Sequence, residues 1–536
     1  MSSFNRKQQR KTFIFTIILC IAVIGAGCYI TISSFVNRNS LFKDQNFARA
    51  IAEVLEINPN KITQETLDKY ESLYYFCNIG MSEDYSSSYA VPYVVIGDKE
   101  YTDYTLNKMK NTNGATDTAS EDENIPGEFK MIPFIIKNVD DLALFRNLRY
   151  LSAFDSQTIA SMYQSTSQIK QYSQYFTSLN PIDFNMVLKE MSLTGLASLS
   201  QISSLTKLEV LALDYSGIKN LDGLDAFPNL INLDIAGTTL KSIAGIEKAP
   251  KLEGLMMGNL EIKDIAPLSS LKALTTLDIE GNGIEDLSPI AGLVALEKLS
   301  ASNNKFPNLN DISALVNLKL LAVNGSFVED ISGISGCTKL ETLYLSDNSF
   351  EDLDALENMT ELKSLISTNG YIKDINGLAA CIKLTTVNLS GNDIADITAL
   401  ENCTEITSLT LSKNKIVDIS AVNKLTKLTT LALDENEIVD ILPVAGLNSL
   451  TNLNLAKNKI TSVEGMETAF EEDFAGTIDL TDNEITDWTP LKGVYEKATI
   501  KGMPEDEDDD DDTSGDETSE DESDDISDEV SEEESI

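Results

Sequence analysis

The sequence predicts an α/β solenoid, in which one short structural unit is repeated along most of the chain. Apolar residues recur as apolar-x-x-apolar-x-apolar, and an asparagine, an isoleucine and an aspartate follow at fixed offsets, as in residues 384–400. Twelve units, the first starting at Leu208 and the last at Leu450, keep a step of 22 residues without an insertion or a deletion. A period of about 20 to 29 residues with this signature is a leucine-rich repeat. We number these units coils 1 to 12.

Each coil is predicted to place a short parallel strand on the concave face of the solenoid. Alternate side chains of such a strand point inward and outward, so the leucines stack between coils. The asparagine is expected to satisfy backbone groups where the chain turns inward, and the aspartate is expected to cap a tight turn. Calcium needs about six to eight converging oxygens, whereas these aspartates are single and one coil apart. We therefore predict no metal site.

Residues 41–78 are predicted to form a helical cap followed by a first, imperfect coil. The stretch 41–56 has helical periodicity, with Phe47 and Ile51 on one side. Thr63 suits the start of a short second helix. The end of a solenoid exposes its core, and a cap of this kind covers it.

Residues 79–187 interrupt the pattern with irregular insertions and a degenerate repeat, and residues 188–500 then form the solenoid. A strand pair is predicted around Gly97 and Asp98. An enzyme within the insertions is one hypothesis, but the segment has no metal, phosphate or nucleophile constellation. The whole chain has no histidine, which excludes His-based triads and imidazole bases. We predict a non-enzymatic protein without catalytic residues or a cofactor.

An apolar stretch near the N-terminus predicts attachment to a membrane. Residues 13–32 carry no charge, and about 20 helical residues span the roughly 30 Å of a bilayer core. The basic residues of segment 1–11 favour a cytoplasmic N-terminus. Residues 12–36 are therefore predicted to be a transmembrane signal-anchor, with the repeats outside the cell. A cleaved secretory signal and a lipid anchor at Cys28 are the alternatives.

The charge balance is strongly acidic, with 41 basic and 85 acidic residues and a net charge of −44. The last 32 residues contain 20 acidic and no basic residues, which leaves −24 for the rest of the chain. Phosphate is repelled by such a field, so no nucleic-acid partner is predicted. Residues 504–536 have too few apolar side chains to fold and are predicted to be a disordered acidic tail.

The six cysteines do not form a recognisable disulfide framework. Cys337, Cys381 and Cys403 each lie three residues before the first leucine of a coil, a position that holds leucine or methionine in other coils. They are predicted to be small buried core residues. Cys381 and Cys403 belong to adjacent coils, so a close approach of the two sulfurs is the alternative.

Function is expected at the outward strand positions, which the structural leucines, asparagines and aspartates leave free. These positions are mainly small and polar, whereas interface hot spots favour Tyr, Trp and Arg, so an ordinary polar strand surface is the alternative. The insertions before Leu188 are a second candidate contact region. The candidate partner-binding residues are Tyr215, Asp234, Met256, Asp278, Glu280, Lys298, Tyr344, Ile366 and Asp434.

The unit Asn-x-Ile-x-Asp-Ile-x-x-Leu, as in residues 392–400, resembles the internalin class of bacterial surface leucine-rich repeat proteins. The entry to the repeats is similar too, with Asp44 and Phe47 on one helix. The resemblance covers residues 41–78 and 188–491. It implies a leucine-rich repeat fold and display at a cell surface, and it specifies no ligand.

Two functions follow as hypotheses. The first is a single-pass scaffold anchored in the cell membrane, whose extracytoplasmic repeats bind a protein partner or a surface polysaccharide. The second is an intracellular regulatory scaffold similar to phosphatase-binding leucine-rich repeat proteins, which share the repeat length. The apolar N-terminal segment favours the first.

Overall fold

The computed structural model describes most of the repeat array and parts of the region before it. The described residues are 41–43, 45–55, 57–81, 88–103, 129–133, 139–153, 196–214, 216–470, 474–492 and 497–504. The predicted signal-anchor, Cys28, Tyr215, the acidic tail after Pro504 and much of the predicted insertion region lie outside them. Within the described ranges, no helix is long and apolar enough to cross a membrane.

The described secondary structure consists mainly of short strands that alternate with short 3₁₀ helices. The strands are β1 (Tyr70–Met81), β2 (Ser88–Asp98), β3 (Phe129–Pro133), β4 (Tyr150–Ala153), β5 (Val210–Ala212), β6 (Asn232–Asp234), β7 (Gly254–Met256), β8 (Thr276–Asp278), β9 (Lys298–Ser300), β10 (Leu320–Ala322), β11 (Thr342–Tyr344), β12 (Ser364–Ile366), β13 (Thr386–Asn388), β14 (Ser408–Thr410), β15 (Thr430–Ala432), β16 (Asn452–Asn454), β17 (Thr477–Asp479) and β18 (Thr499–Lys501). The α-helices are α1 (Gln45–Val54) and α2 (Gln64–Leu67).

Most of the 3₁₀ helices connect one strand to the next. Their bounds are Pro59–Lys61, Val139–Leu144, Leu199–Ile202, Leu224–Ala226, Ile246–Lys248, Ala266–Ser270, Ser288–Ile290, Asn310–Ile312, Ser332–Ile334, Asp354–Leu356, Asn376–Leu378, Thr398–Leu400, Ser420–Lys424, Leu442–Val444, Met466–Thr468 and Thr489–Leu491.

One sheet runs through the described parts of the chain and contains 18 strands. Its hydrogen-bonded order is β3, β2, β1, β4 and then β5 to β18 in chain order. The pairings from β1 through β4 to β18 are parallel, and β2 and β3 add antiparallel strands at the N-terminal edge. The predicted parallel-strand leucine-rich repeat solenoid is confirmed.

The core takes seven apolar side chains from each regular coil. In coil 9 these side chains are at most 1% exposed, and they are Leu384, Val387, Leu389, Ile394, Ile397, Leu400 and Cys403. Each contributes about 2 kcal/mol of burial free energy. Within each strand, buried and half-buried residues alternate, as the predicted inward and outward pattern requires.

The asparagine ladder joins successive coils through buried hydrogen bonds. Asn414 Nδ2 donates to the carbonyl oxygen of Leu389 in the preceding coil at 3.0 Å and to that of Leu411 at 2.9 Å. Its Oδ1 accepts from the backbone N–H of Ile394 at 3.1 Å. A buried amide is stable only when it is bonded in this way. The predicted structural role of the ladder is confirmed.

The aspartates cap the 3₁₀ turns, as predicted. Asp396 Oδ1 accepts from the backbone N–H of Thr398 at 2.9 Å, and Asp418 Oδ1 accepts from that of Ser420 at 2.8 Å. Hydrogen bonds from Thr398 hold the pKa of Asp396 below its usual value, and the bond from its backbone N–H has the largest effect. The described residues contain no group of acidic or cysteine side chains arranged to hold a metal ion.

The three cysteines of the array are buried and free. Burial raises the pKa of Cys337 and of Cys403 to about 11. Burial, together with the neighbouring Cys403, raises the pKa of Cys381 to about 12. Thiols with such pKa values stay protonated and unreactive at neutral pH. The prediction that they are small core residues is confirmed.

The N-terminal segment contains two short α-helices. Helix α1 buries Phe47 and Ile51 completely, and α2 begins with a capping box at Thr63. The predicted strand pair around Gly97 and Asp98 is wrong. Strand β2 ends at Asp98 and pairs with β1, and residues 99–103 are helical.

The acid after the glycine starts a helical turn instead of a hairpin. Asp98 Oδ1 accepts from the backbone N–H of Tyr101 at 3.0 Å, and the Thr102 hydroxyl donates to the Asp98 carbonyl oxygen at 2.7 Å. An aspartate in this position is a preferred helix N-cap. The chain therefore turns away from the sheet where a hairpin was predicted.

Arg149, directly before β4, joins three acidic residues that are distant in the sequence. Its Nε donates to Glu209 at 2.6 Å, and its Nη1 donates to Glu71 at 3.2 Å and also to Asp103. The guanidinium is half-buried. These hydrogen bonds raise its pKa above the usual value of arginine, and the bond to Glu209 has the largest effect. This cluster fastens β1 and the 99–103 helical segment to the first regular coil.

Candidate functional site

The third residue of each short strand of the array points outward, and these residues form one row across the concave face. Strand register aligns Asp234 with Met256 and Met256 with Asp278. Further along, it aligns Tyr344 with Ile366. Neighbouring strands are about 4.8 Å apart. Along this row the predicted candidates fall into two groups, one on β6 to β9 and one on β10 to β12.

The first group lies on β6 to β9 and is charged. Glu280 follows Asp278 by two residues, and its Oε1 accepts from Asn303 Nδ2 at 3.0 Å. Burial, reinforced by the charge of Glu280, raises the pKa of Asp278. Burial also lowers the pKa of Lys298. These charges are incompletely solvated, so a partner group of opposite charge would gain from approaching them.

The second group lies on β10 to β12 and is apolar. Tyr344 and Ile366 are half-buried neighbours, and Ala322 precedes Tyr344 in the same row. Leu320 lies two residues before Ala322 on the same face. Tyrosine is one of the residue types in which interface hot spots are enriched.

The last two candidates do not join either group. Asp434 follows β15, and its Oδ1 accepts from Ser412 Oγ at 2.5 Å and from Asn454 Nδ2 at 2.9 Å. It is therefore engaged within the sheet. Tyr215 lies outside the described residues.

Two further aromatic side chains, outside the predicted candidates, are exposed. Phe327 is 64% exposed and Tyr371 is 58% exposed. Both follow the ladder position, just past the end of the strand, where other coils have residues such as Lys305, Ser349 and Lys415. We call Phe327 and Tyr371 the rim pair. An aromatic residue at a position that is otherwise polar is the signal that would have identified them.

The rim pair belongs to two matching pairs of coils. Isolated parallel bridges join Asn308 to Asp330 between coils 5 and 6, and Asp352 to Asp374 between coils 7 and 8. The close approach requires glycine: a Cβ on Gly333 would lie 2.2 Å from the backbone oxygen of Leu309.

The same contact recurs 44 residues later. A Cβ on Gly377 would lie 1.9 Å from the backbone oxygen of Leu353. Real Cβ atoms do not approach backbone atoms so closely, so alanine is excluded at both positions without a shift of the coil. The centre of the array therefore repeats as two coil pairs of 44 residues each.

Comparisons with known proteins agree with this architecture. A two-copy leucine-rich repeat model matches residues 250–292 and 338–380, and a single-repeat model matches residues 380–397. A search of curated proteins gives no significant match. Among solved structures, an internalin (inlF) from Listeria monocytogenes shares 29% identity over 56% of this chain and 89% of its own, with a TM-score of 0.53. The chain is a leucine-rich repeat protein, and its array is similar to that of this internalin.

The repeat array also matches a leucine-rich repeat protein from Leptospira interrogans. The identity is 20%, the match covers 67% of this chain and 85% of that one, and the TM-score is 0.55. This second likeness concerns the fold alone.

Proposed function

We propose that this chain is a membrane-anchored, extracytoplasmic scaffold that binds a protein partner on its concave face and carries out no chemistry itself. The observation that carries the proposal is the apolar group on β10 to β12, at the middle of a long row of small polar side chains. Tyr344 and Ile366 are held side by side by strand register and remain half-buried in the unbound chain. Solenoids of stacked repeats use such extended faces for binding.

The charged group on β6 to β9 supports the same proposal. Asp278 and Glu280 lie two to four strands from the apolar group, about 10 to 20 Å away. A standard interface covers about 800 Å² on each partner, which is wide enough to include both groups. The charges would then set orientation and association rate, and the apolar group would supply most of the affinity.

Removing the apolar group is expected to weaken partner binding strongly. Tyr344→Ala and Ile366→Ala should each lower affinity by about 2 kcal/mol, or roughly 30-fold, because hot-spot side chains of this kind dominate binding. Affinity would be measured by titrating the full chain with a partner isolated on it. Asn388→Ala, on the next strand of the same row, serves as a matched control. Unchanged affinity in both apolar variants would contradict the protein-binding proposal. The same holds if the chain binds a surface polysaccharide and no protein.

The membrane location rests on the sequence of residues 12–36 and is tested independently. Protease added to intact cells that express the full chain should degrade the repeats, and a membrane fraction should retain the uncleaved protein. Repeats that are protected in intact cells would show the opposite orientation. A soluble cytosolic protein would favour the intracellular regulatory alternative, and release into the medium would indicate a cleaved signal.

A further inference from the structure

The two side chains of the rim pair are largely exposed to solvent and are not part of the hydrophobic core. Among the described residues, eight large hydrophobic side chains are exposed, and Phe327 and Tyr371 are the two aromatic ones. They occupy the same repeat position in coils 6 and 8 and flank Ser349 of coil 7. The rim pair lies beyond the strand ends, so it is a different surface from the row that contains Tyr344 and Ile366.

The inter-coil hydrogen bond is displaced in the same way at both aromatic residues. In coils 5, 7 and 9 to 12 the N–H at this position donates to the preceding coil, as Ser349 does to the Val328 carbonyl oxygen at 2.8 Å. In coils 6 and 8 the corresponding bond forms two residues later, from Glu329 to Pro307 and from Lys373 to Glu351, both at 2.8 Å. The position of the rim pair is therefore released from the inter-coil ladder.

This arrangement is unfavourable for Phe327. Its φ of 62° is in the left-handed region, which bulky side chains rarely adopt. Glutamate occurs in the same conformation at Glu261, the same repeat position in coil 3, with a φ of 59°. Stability alone would favour glycine in place of Glu261 and of Phe327. A strained, exposed phenylalanine is more consistent with a contact surface than with a structural role.

The charges around the rim pair define what it would bind. The exposed charged residues that follow it on the same side of coils 6 to 8 are Glu329, Asp330, Glu351, Asp352, Lys373 and Asp374. The single lysine among them is already paired with Glu351 at 2.9 Å. An aromatic face within an acidic surface attracts a cation through both its quadrupole and the neighbouring carboxylates. A second copy of this acidic chain would be repelled.

We propose that the rim pair and the surrounding carboxylates bind a basic segment of a protein partner. Arginine or lysine side chains of that segment would stack on Phe327 and Tyr371 and form ion pairs with the acidic residues beside them. The proposal extends beyond the concave row, and either surface can bind when the other is inactivated.

The test uses the full chain and a fluorescent peptide of alternating arginine and glycine that carries a photo-crosslinking group. A peptide with citrulline in place of arginine keeps the shape and removes the charge. In about 150 mM salt, long-range attraction to the acidic tail is largely screened. The arginine peptide is expected to crosslink within coils 6 to 8. Phe327→Gly and Tyr371→Ala should each weaken its binding about fivefold.

Phe327→Gly separates binding from folding. It relieves the left-handed strain, so its melting temperature should rise by about 2 °C while its affinity falls. Glu261→Gly is the matched control, because it relieves the same strain in coil 3 and should leave peptide affinity unchanged. Tyr344→Ala should also leave it unchanged.

Three results would overturn the proposal. The first is wild-type peptide affinity in Phe327→Gly and Tyr371→Ala. The second is crosslinking confined to residues 505–536 or to the concave row. The third is equal binding of the arginine and citrulline peptides.

Discussion

Replacing Asn414 by leucine is expected to lower the free energy of unfolding by about 3 kcal/mol. Leucine fits the buried site but makes none of the hydrogen bonds of the amide. The carbonyl oxygen of Leu389 still accepts from Asn392, and that of Leu411 still accepts from Asn436. The backbone N–H of Ile394, however, loses its acceptor, the Oδ1 of Asn414. The cost therefore combines several lost bonds with one buried, unsatisfied donor.

Serine should cost less, because the chain already uses it at a ladder position. Ser326 Oγ donates to the Ala301 carbonyl oxygen at 3.1 Å. Urea unfolding followed by circular dichroism would rank Asn414→Leu as more damaging than Asn414→Ser. The matched control is Asn452→Ala, an exposed asparagine of the concave face, which should change stability by less than about 0.5 kcal/mol. Equal stability of the Asn414→Leu and Asn452→Ala variants would contradict the role given to the ladder.

Replacing Arg149 by methionine is expected to lower the free energy of unfolding by about 2 kcal/mol at neutral pH. Methionine preserves much of the side-chain volume, but Glu71, Asp103 and Glu209 are then left close together without their shared cation. The half-buried setting makes their mutual repulsion stronger than it would be at an exposed site.

The loss should depend on pH in a defined direction. Lys99 first, and then Arg149, hold the pKa of Asp103 below its usual value. A carboxylate whose folded pKa is lowered stabilises the fold above its unfolded pKa of about 4, and this contribution disappears as pH falls through the folded pKa. The difference between wild type and Arg149→Met should therefore be largest near pH 7 and smaller below about pH 4.

Urea unfolding at both pH values, together with hydrogen exchange of β1 and β2, measures this effect. Arg146→Met is the control, because Arg146 is mostly exposed and forms an ion pair with Asp68 alone among the described residues. Exposed pairs contribute about 0 to 1 kcal/mol. A pH-independent loss in Arg149→Met would show that side-chain packing, and not charge, is responsible.

The regular coils were predictable from the sequence because each coil packs on the next one along the chain. The 22-residue step therefore fixes both the neighbours and the direction of every strand side chain. Leu343 points inward and Tyr344 outward, as the alternation required. The ladder asparagines and capping aspartates were predictable for the same reason, since their partners are local or one coil away.

The N-terminal cap was harder to predict because its contacts are distant in sequence. Arg149 is 78 residues from Glu71 and 46 from Asp103. No periodicity aligns such residues, and the pairing of β1 with β2 is likewise not visible in a repeat. The candidate face was predicted as a set of outward residues, and the 22-residue step also predicts the strand register that aligns them.

The rim pair was missed because a 22-residue template treats all coils as equivalent. The coil pairs have a further consequence, which concerns how the array can change length. Deleting coil 6 alone would set Ala355 of coil 7 against coil 5, where the close approach of Gly333 to Leu309 leaves no room for a Cβ. Deleting coils 6 and 7 together would bring Gly377 to that position instead. The centre of this protein is therefore built to gain or lose length two coils at a time.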